Sequence, residues 1–490
     1  MPAVLAVDVG SSAVRTALYD SRGRALRVSE ARFAYRTRDD AAGASEVDAS
    51  HLVRVTARSI TQSLRAARSR IAGVGVSTFW HGLAGTDERG EPITPLYLWS
   101  DRRGSAAAET LRAQLDVEAV RQRTGCPIHS SYWPAKLLWL RTDQPDAWRR
   151  AARWMSFGDL LFARLFGTLG TSLSMASGTG LFTLEASEWD RELIRELELD
   201  PGALPPIRES ETGLRRPFRS RWPALADVPW FHAVGDGALA NLGSGCLTPS
   251  RRSVTVGTSA AVRVMHVAPA RRPIPPGLWR YRLDARRLVT GGALSSGGNV
   301  RDWLVRTLHV DPGALERALR DSLPGSHGLA MLPYLAGERS PGYAPDAAAA
   351  IRGATLATSA LDVARAGLEA VTVDVVRVNR LLDAAAPRPR ALVASGGGLL
   401  ESKGWMQLVA DATRTVVIAG RAREASERGA ALFALEKLGL ASPAELDPGE
   451  AARFGPRRRA SAAFARLAER QAALYEELIA SQPHNASGEP

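Results

Sequence analysis

Val7-Asp8-Val9-Gly10-Ser11-Ser12-Ala13-Val14-Arg15 and, far downstream, Val254-Thr255-Val256-Gly257-Thr258-Ser259-Ala260-Ala261-Val262-Arg263 are one pattern written twice. Each is an apolar run, a tight turn of Gly and hydroxyl residues, and a second apolar run ending in Arg. Such runs with turn residues between them predict strand, turn, strand. A turn of this kind presents backbone N–H groups and hydroxyls to a phosphate. One alone is an ordinary hairpin. Two matched turns at the heads of two units predict a cleft in which each unit grips the phosphate tail of one nucleotide.

Working outward, residues 25–33 read as a third strand and residues 50–70 carry apolar positions at helical spacing. Residues 71–77 read as a buried strand. The alternation predicts an α/β fold with a mixed sheet. Residues 231–234 form another strand candidate leading into Gly235-Asp236-Gly237 and a short helix. Gly- and Pro-containing sequence at 243–250 separates the halves. The expected domains are 1–247 and 248–445, with a helical extension and tail over 446–490. Further helices are expected at 360–383, 402–414 and 423–438, and a disordered tail from about 482.

The chain has 490 residues, enough for two domains. Its formal charge of +12 raises nucleic acid as a ligand. However, the cations are almost all Arg, scattered among acids; only Lys136, Lys403 and Lys437 are lysines. No binding patch is predicted from them, and no nucleic-acid partner. No apolar run is long enough to span a bilayer, and residues 1–10 lack a secretory signature. Two distant cysteines, Cys126 and Cys246, exclude a disulfide framework and fit a reducing cytoplasm.

Four places carry candidate chemistry. Asp8 stands before the first turn, where it can hold Mg²⁺ directly or through water, or simply cap the turn. Asp236 follows a strand and opens a helix between two glycines that permit close approach. An Asp there can accept a proton from an attacking hydroxyl, or serve as a helix cap. Ala394-Ser-Gly-Gly-Gly398 enters a helix as a nucleotide-contacting turn does, or as a plain loop, and Gly291-Gly-Ala-Leu-Ser-Ser-Gly297-Gly298 is a further small-residue loop entering a helix, while the dinucleotide fingerprint and Walker A motif are absent. Trp80-His81 and Trp99-Ser-Asp101-Arg102-Arg103 can line a sugar pocket; the alternative is a core aromatic with a satisfied His.

These blocks, in order, resemble the FGGY carbohydrate kinases from Leu5 to about Leu440. The resemblance rests on Asp8-Val-Gly10-Ser11-Ser12, Trp99-Ser-Asp101-Arg102-Arg103, Thr124-Gly-Cys-Pro-Ile-His129 with Lys136, and Gly235-Asp236-Gly237. Gly257-Thr258-Ser259, Pro333-Tyr334-Leu-Ala-Gly337-Glu338-Arg339-Ser-Pro341 and Gly396-Gly397-Gly398 complete it. Within the family, Thr124 to His129, Gly235 to Gly243 and Ser296 to Trp303 are most similar to gluconokinases; pentulose kinases such as xylulokinases share several blocks.

The resemblance implies two actin/hexokinase/ribonuclease-H-like domains, each a mixed five-stranded sheet with flanking helices, sugar mainly on the first and ATP mainly on the second. It implies Asp236 as general base and Asp8 as the Mg²⁺-associated acid. Ser11, Ser12, Arg15, Gly257 and Thr258 would surround phosphates, and Gly298, Gly397, Gly398 and Ser402 would line the nucleotide site. Trp80, His81, Asp101, Asp236 and Gly237 would face the substrate. The expected reaction is ATP-dependent phosphorylation of a sugar or sugar acid, D-gluconate to 6-phosphogluconate first. A xylulokinase-type enzyme and a non-catalytic actin-like nucleotide-binding protein are the alternatives, and a homodimer is an admissible assembly. Trp80 and Trp133 depart from the family's usual residues and bear on substrate identity.

Overall fold

The computed structural model describes residues 2–269 and 272–480. The tail expected from about 482 lies outside them. Both predicted hairpins form. Ala3–Val9 and Ala13–Tyr19 pair antiparallel with Val9 opposite Val14, and Arg251–Val256 pairs with Ala260–Val267, Val256 opposite Ala260. The apolar runs do this because both faces of each central strand are covered, so alternation gives way to continuous Val, Leu and Ala.

The two sheets share one inner order. In the first, Ala31–Ala34, Ala13–Tyr19, Ala3–Val9 and Ile71–Thr78 lie side by side, and a broken fifth strand, Trp230–Phe231 and Val234–Gly235, pairs with the far side of Ile71–Thr78. In the second, Arg287–Leu294, Ala260–Val267, Arg251–Val256, Ala391–Ser395 and Val416–Gly420 repeat that order. The hairpin strands are antiparallel and the next ones parallel in both. Each sheet reaches seven strands, not five, the two pieces of the broken strand counting separately in the first. The additions are edges: Ser210–Glu211 on the first, Trp279–Arg282 and Glu450–Phe454 on the second. Ser210–Glu211, only two residues long, carries no measurable period, so the sequence pattern passes over it.

The predicted third strand begins later, at Ala31, after a 3₁₀ turn over Arg27–Ser29. The long helix Ala360–Ala385 is set by a capping box in which Ser359 and Asp362 satisfy each other's backbone N–H groups. No helix among the described residues is long and apolar enough to cross a membrane.

The two units interlock. Helix Ala425–Lys437, reached from the second sheet, buries Ala430 to Leu435 in the core of the first sheet. It crosses helix Asp236–Gly243 at glycines. A Cβ on Gly429 would fall on the Leu239 carbonyl, and one on Gly243 on the Ala425 carbonyl. On the opposite side, Trp279–Arg282 leans onto the first unit, where Arg280 N–H donates to Gly125 O at 2.8 Å and the Tyr132 and Tyr281 hydroxyls meet at 2.6 Å.

A buried acid pair fastens the last helix. Tyr475, at the end of Arg458–Tyr475, donates to Glu338 at 2.7 Å, while Arg377 reaches both Asp374 (3.1 Å) and Glu338 (3.4 Å). One guanidinium serves two buried carboxylates. Burial pushes Asp374 up to about 7, and the Glu338 carboxylate pushes it the same way. Its folded pKa lies above the unfolded value of 3.8. The stabilisation it gives is therefore complete below that value and fades as pH rises through about 7. Melting temperatures between pH 4 and 8 check this. The wild type should lose stability relative to Asp374→Asn as pH rises, and parallel curves would count against it.

Candidate active site

Backbone geometry builds the two hairpin ends first. Gly10 N–H bonds Ala13 O at 3.0 Å and leaves Ser11 and Ser12 exposed at the tip. In the second hairpin, Gly257 N–H bonds Ser259 O at 2.9 Å, Thr258 is exposed, and nothing lies within 4 Å of a Cβ on Gly257. Two glycine loops stack on this hairpin. Gly298 N–H donates to Gly257 O at 2.8 Å and opens helix Gly298–Leu308. Gly396 sits at φ +83°, and a Cβ there or on Gly398 would press on the Val256 carbonyl. Gly257, Thr258, Gly298, Gly397 and Gly398 are thus brought together. Ser402 lies behind them: its hydroxyl caps helix Lys403–Thr413 at Trp405 N–H (3.0 Å) and donates to Glu316 at 2.5 Å.

Asp8 is buried at the end of the first strand. Arg15, opposite it in the hairpin register, brings Nη1 to 3.5 Å and also pairs with Glu424 at 3.1 Å. Among the described residues Asp8 Oδ1 has no hydrogen-bond partner, and it is buried. Burial raises Asp8 to about 6, and the charge of Asp236 adds to that rise, so the two acids share one neighbourhood. An orphaned carboxylate oxygen beside a phosphate turn fits Mg²⁺, a hard cation that keeps several waters and takes few protein ligands. No cluster of three or more metal-ligating side chains exists among the described residues, so Asp8 with at most one further side chain would hold the ion from the protein side.

Asp236 begins helix Asp236–Gly243, and its Oδ1 accepts from Gly237 N–H at 2.7 Å. Burial raises its pKa, while Arg263 draws it down. A Cβ on Gly237 would lie 2.7 Å from the Trp80 ring and 2.9 Å from Arg263 Nε, and a Cβ on Gly235 would sit inside the Trp80 indole. The flanking glycines therefore admit an indole and a guanidinium against the backbone of this acid. Arg263 was not among the predicted site residues. It closes the second hairpin as Arg15 closes the first, so the repeat itself held the signal. Its Nη1 donates to Thr255 Oγ1 at 3.1 Å, and its Nε is buried without a partner.

Aromatics form the next wall. Trp80 donates to Ser174 O at 3.1 Å and meets Tyr281 and Trp279 edge-on at 4.9 and 6.0 Å. His81 sits in the left-handed region at φ +68°. Its Nδ1 donates to Gly178 O at 2.5 Å, leaving Nε2 as an acceptor, and burial keeps the ring neutral. His129, pushed down to about 3 by burial, is neutral as well. Lys136 threads beneath them, donating to the carbonyls of His81, Leu98 and Ser131 at 2.7 to 3.0 Å. It fixes the pocket floor from below.

Other expected residues stand apart. Asp101 is buried and accepts from Ser45 N–H at 3.0 Å and Arg103 Nη2 at 2.6 Å; Arg103 also holds Glu46. Those bonds fall on Oδ2; Oδ1 accepts from Arg103 backbone N–H at 3.1 Å and Nε at 3.2 Å, so both oxygens are engaged inside the first unit. Trp133 donates to Gly82 O at 3.1 Å and stacks on Trp189, in the core rather than on the pocket wall. Arg102 is exposed. A further cation felt by both neutral histidines is Arg339, stacked on Trp99 at 4.9 Å, with an Nε that is buried and unpartnered among the described residues.

Two glycine hairpins, an acid between glycines and an aromatic pocket beside it are the parts of a phosphotransferase acting on a polyhydroxy acceptor. Residues 3–243 match the N-terminal domain of the FGGY family of carbohydrate kinases and residues 253–437 its C-terminal domain. The chain belongs to this family and is an ATP-dependent carbohydrate kinase. It is 26% identical over 457 residues to a gluconokinase of Bacillus subtilis (strain 168), covering 89% of this chain and 88% of that one. To a xylulose kinase of Staphylococcus xylosus it is 25% identical over 441 residues, covering 89% and 90%. The structure of a ligand-bound xylulose kinase from Lactobacillus acidophilus superimposes with a TM-score of 0.91 at 24% identity, over 98% of this chain and 99% of that one.

Proposed function

We propose that the chain transfers the γ-phosphoryl group of ATP to the terminal hydroxyl of D-gluconate, with Asp236 as general base. The similarity to the gluconokinase supports the acid substrate, although the xylulose kinase is nearly as similar. The observation that carries it further is Arg339. Among the pocket's charged groups Arg103 is spent on Asp101 and Glu46, Lys136 on three carbonyls, and the histidines are neutral. Arg263 faces Asp236, which leaves Arg339 as a cation with no ion-pair partner among the described residues, and a substrate carboxylate would supply one.

Phosphoryl transfer needs alignment and charge neutralisation more than covalent help. Asp236, held beside Trp80 and Arg263, accepts the hydroxyl proton as the oxygen attacks. His81 Nε2 accepts from a neighbouring substrate hydroxyl. Ser11, Ser12, Gly257 and Thr258 offer donors to the phosphate tail from both units, and Gly298, Gly397 and Gly398 let it approach their backbones. Mg²⁺ bound at Asp8 would offset the phosphate charge. Closure of the interlocked units keeps water from the acceptor's place. This chemistry belongs in the cytoplasm, where Cys126 and Cys246, both buried and unpaired, stay reduced.

Coupled ADP-release assays with D-gluconate, D-xylulose and glycerol test the substrate. Gluconate should give the highest kcat/KM, and Arg339→Gln should lower that value about tenfold or more, the weight of one charge-assisted hydrogen bond, without affecting xylulose. A preference for xylulose that Arg339→Gln leaves unchanged would replace gluconate with the ketopentose.

A further inference from the structure

On the far side of Arg15 from Asp8 lies a groove of about 1400 Å³, walled by residues 15–32 of the first unit and by residues 421–428 and 445–449 that follow the second sheet. It exceeds the ~300–1,000 Å³ of ordinary small-ligand pockets. It contains none of the hairpin tips or glycine loops described above. Its most unusual feature is charge. The guanidinium groups of Arg22, Arg24, Arg27, Arg32 and Arg423 are exposed in it, and none makes an ion pair or hydrogen bond among the described residues.

The acids of the groove do not balance them. Glu424 is taken by Arg15, and Asp447 by Arg251. Glu427 is buried, and burial pushes its carboxyl well above the usual carboxylate range. Glu30 and Glu445 remain, two carboxylates against five free guanidiniums. Like charges gathered in one concavity repel one another and focus a positive potential. Guanidinium forks match phosphate oxygens in geometry as well as charge. The sequence hid this site because its arginines are dispersed over 400 residues and only the fold collects them.

We infer that this groove is a binding site, separate from the ATP site, for a small molecule carrying two or more phosphate groups. Its position makes it regulatory. Arg15 lines the groove and also touches Asp8 and Glu424. Glu424 in turn leads into Ala425–Lys437, the helix that crosses Asp236–Gly243. A polyanion that draws Arg15 toward itself loosens its hold on both acids, so occupancy is felt at the catalytic carboxylates. The inference stands on the groove alone and does not depend on which sugar is phosphorylated.

Inorganic tripolyphosphate is the probe, titrated calorimetrically into the full chain with the catalytic site saturated by ADP and Mg²⁺. The comparison is the triple variant Arg24→Gln/Arg27→Gln/Arg32→Gln, whose exposed side chains lie outside the catalytic machinery. The wild type should bind one equivalent, and the variant should bind at least ~10-fold more weakly, since each lost charge-assisted bond is worth that much. Its kcat without tripolyphosphate should be unchanged, and tripolyphosphate should shift the ATP KM of the wild type only. Equal binding by both proteins overturns the site. So does abolition of wild-type binding by ADP, which would move the anion to the catalytic cleft, or tighter binding of a duplex oligonucleotide than of tripolyphosphate.

Discussion

Asp236→Asn is expected to lower sugar phosphorylation by about 10²–10⁴-fold, the usual worth of general-base help, while ATP binds as before. The amide keeps the shape of the carboxylate and can still accept from Gly237 N–H, so helix Asp236–Gly243 has no reason to move. It cannot accept the hydroxyl proton. The proposed nucleotide contacts lie on Gly257, Thr258 and the loops around Gly298 and Gly397, away from the substituted carboxylate. Steady-state kinetics paired with calorimetric ATP titration separates the two effects. Near-wild-type turnover would remove Asp236 from the chemistry. Loss of ATP binding together with turnover would make it a structural residue instead.

The second large effect is expected at a position with no chemistry. Gly429→Val places a branched side chain on the Leu239 carbonyl at the helix crossing. The neighbouring atom is backbone on a packed helix, so no rotamer can yield. Overpacking of this kind costs about 3 kcal/mol or more. Leu239 lies on the helix that begins with Asp236, so the strain also reaches the base. The urea midpoint should fall well below that of the wild type, and kcat should fall even where the variant is folded. An unchanged midpoint would mean that the two helices do not cross as closely as described.

Local pattern made the central architecture legible. The repeated hairpin predicted two units and two matched glycine turns, and its second copy held Arg263, which was not among the expected site residues. Strand, turn and helix start around Asp236 were equally local. What stayed hidden was partnership at long range. Nothing near Ala425–Lys437 says that its Ala and Leu face complete the first core, because amphipathic periodicity names a buried face and not what buries it. Asp101 and Arg103 read as pocket groups, yet each found its counter-charge inside the first unit, with Glu46 brought from 57 residues away. Trp133 looked like a pocket departure and is a core residue, since a large apolar side chain fits either place until packing decides. Tyr281 and Trp279 reach the pocket from the other unit on a strand only four residues long.

The most direct test follows the phosphorus. With ATP, Mg²⁺ and D-gluconate, ³¹P nuclear magnetic resonance of the wild-type reaction should show the γ-phosphate signal of ATP replaced by a phosphomonoester coupled to the terminal CH₂ protons. Appearance of ADP with inorganic phosphate alone, or of no new phosphorus species with gluconate or any other polyol, would contradict phosphoryl transfer through Asp236.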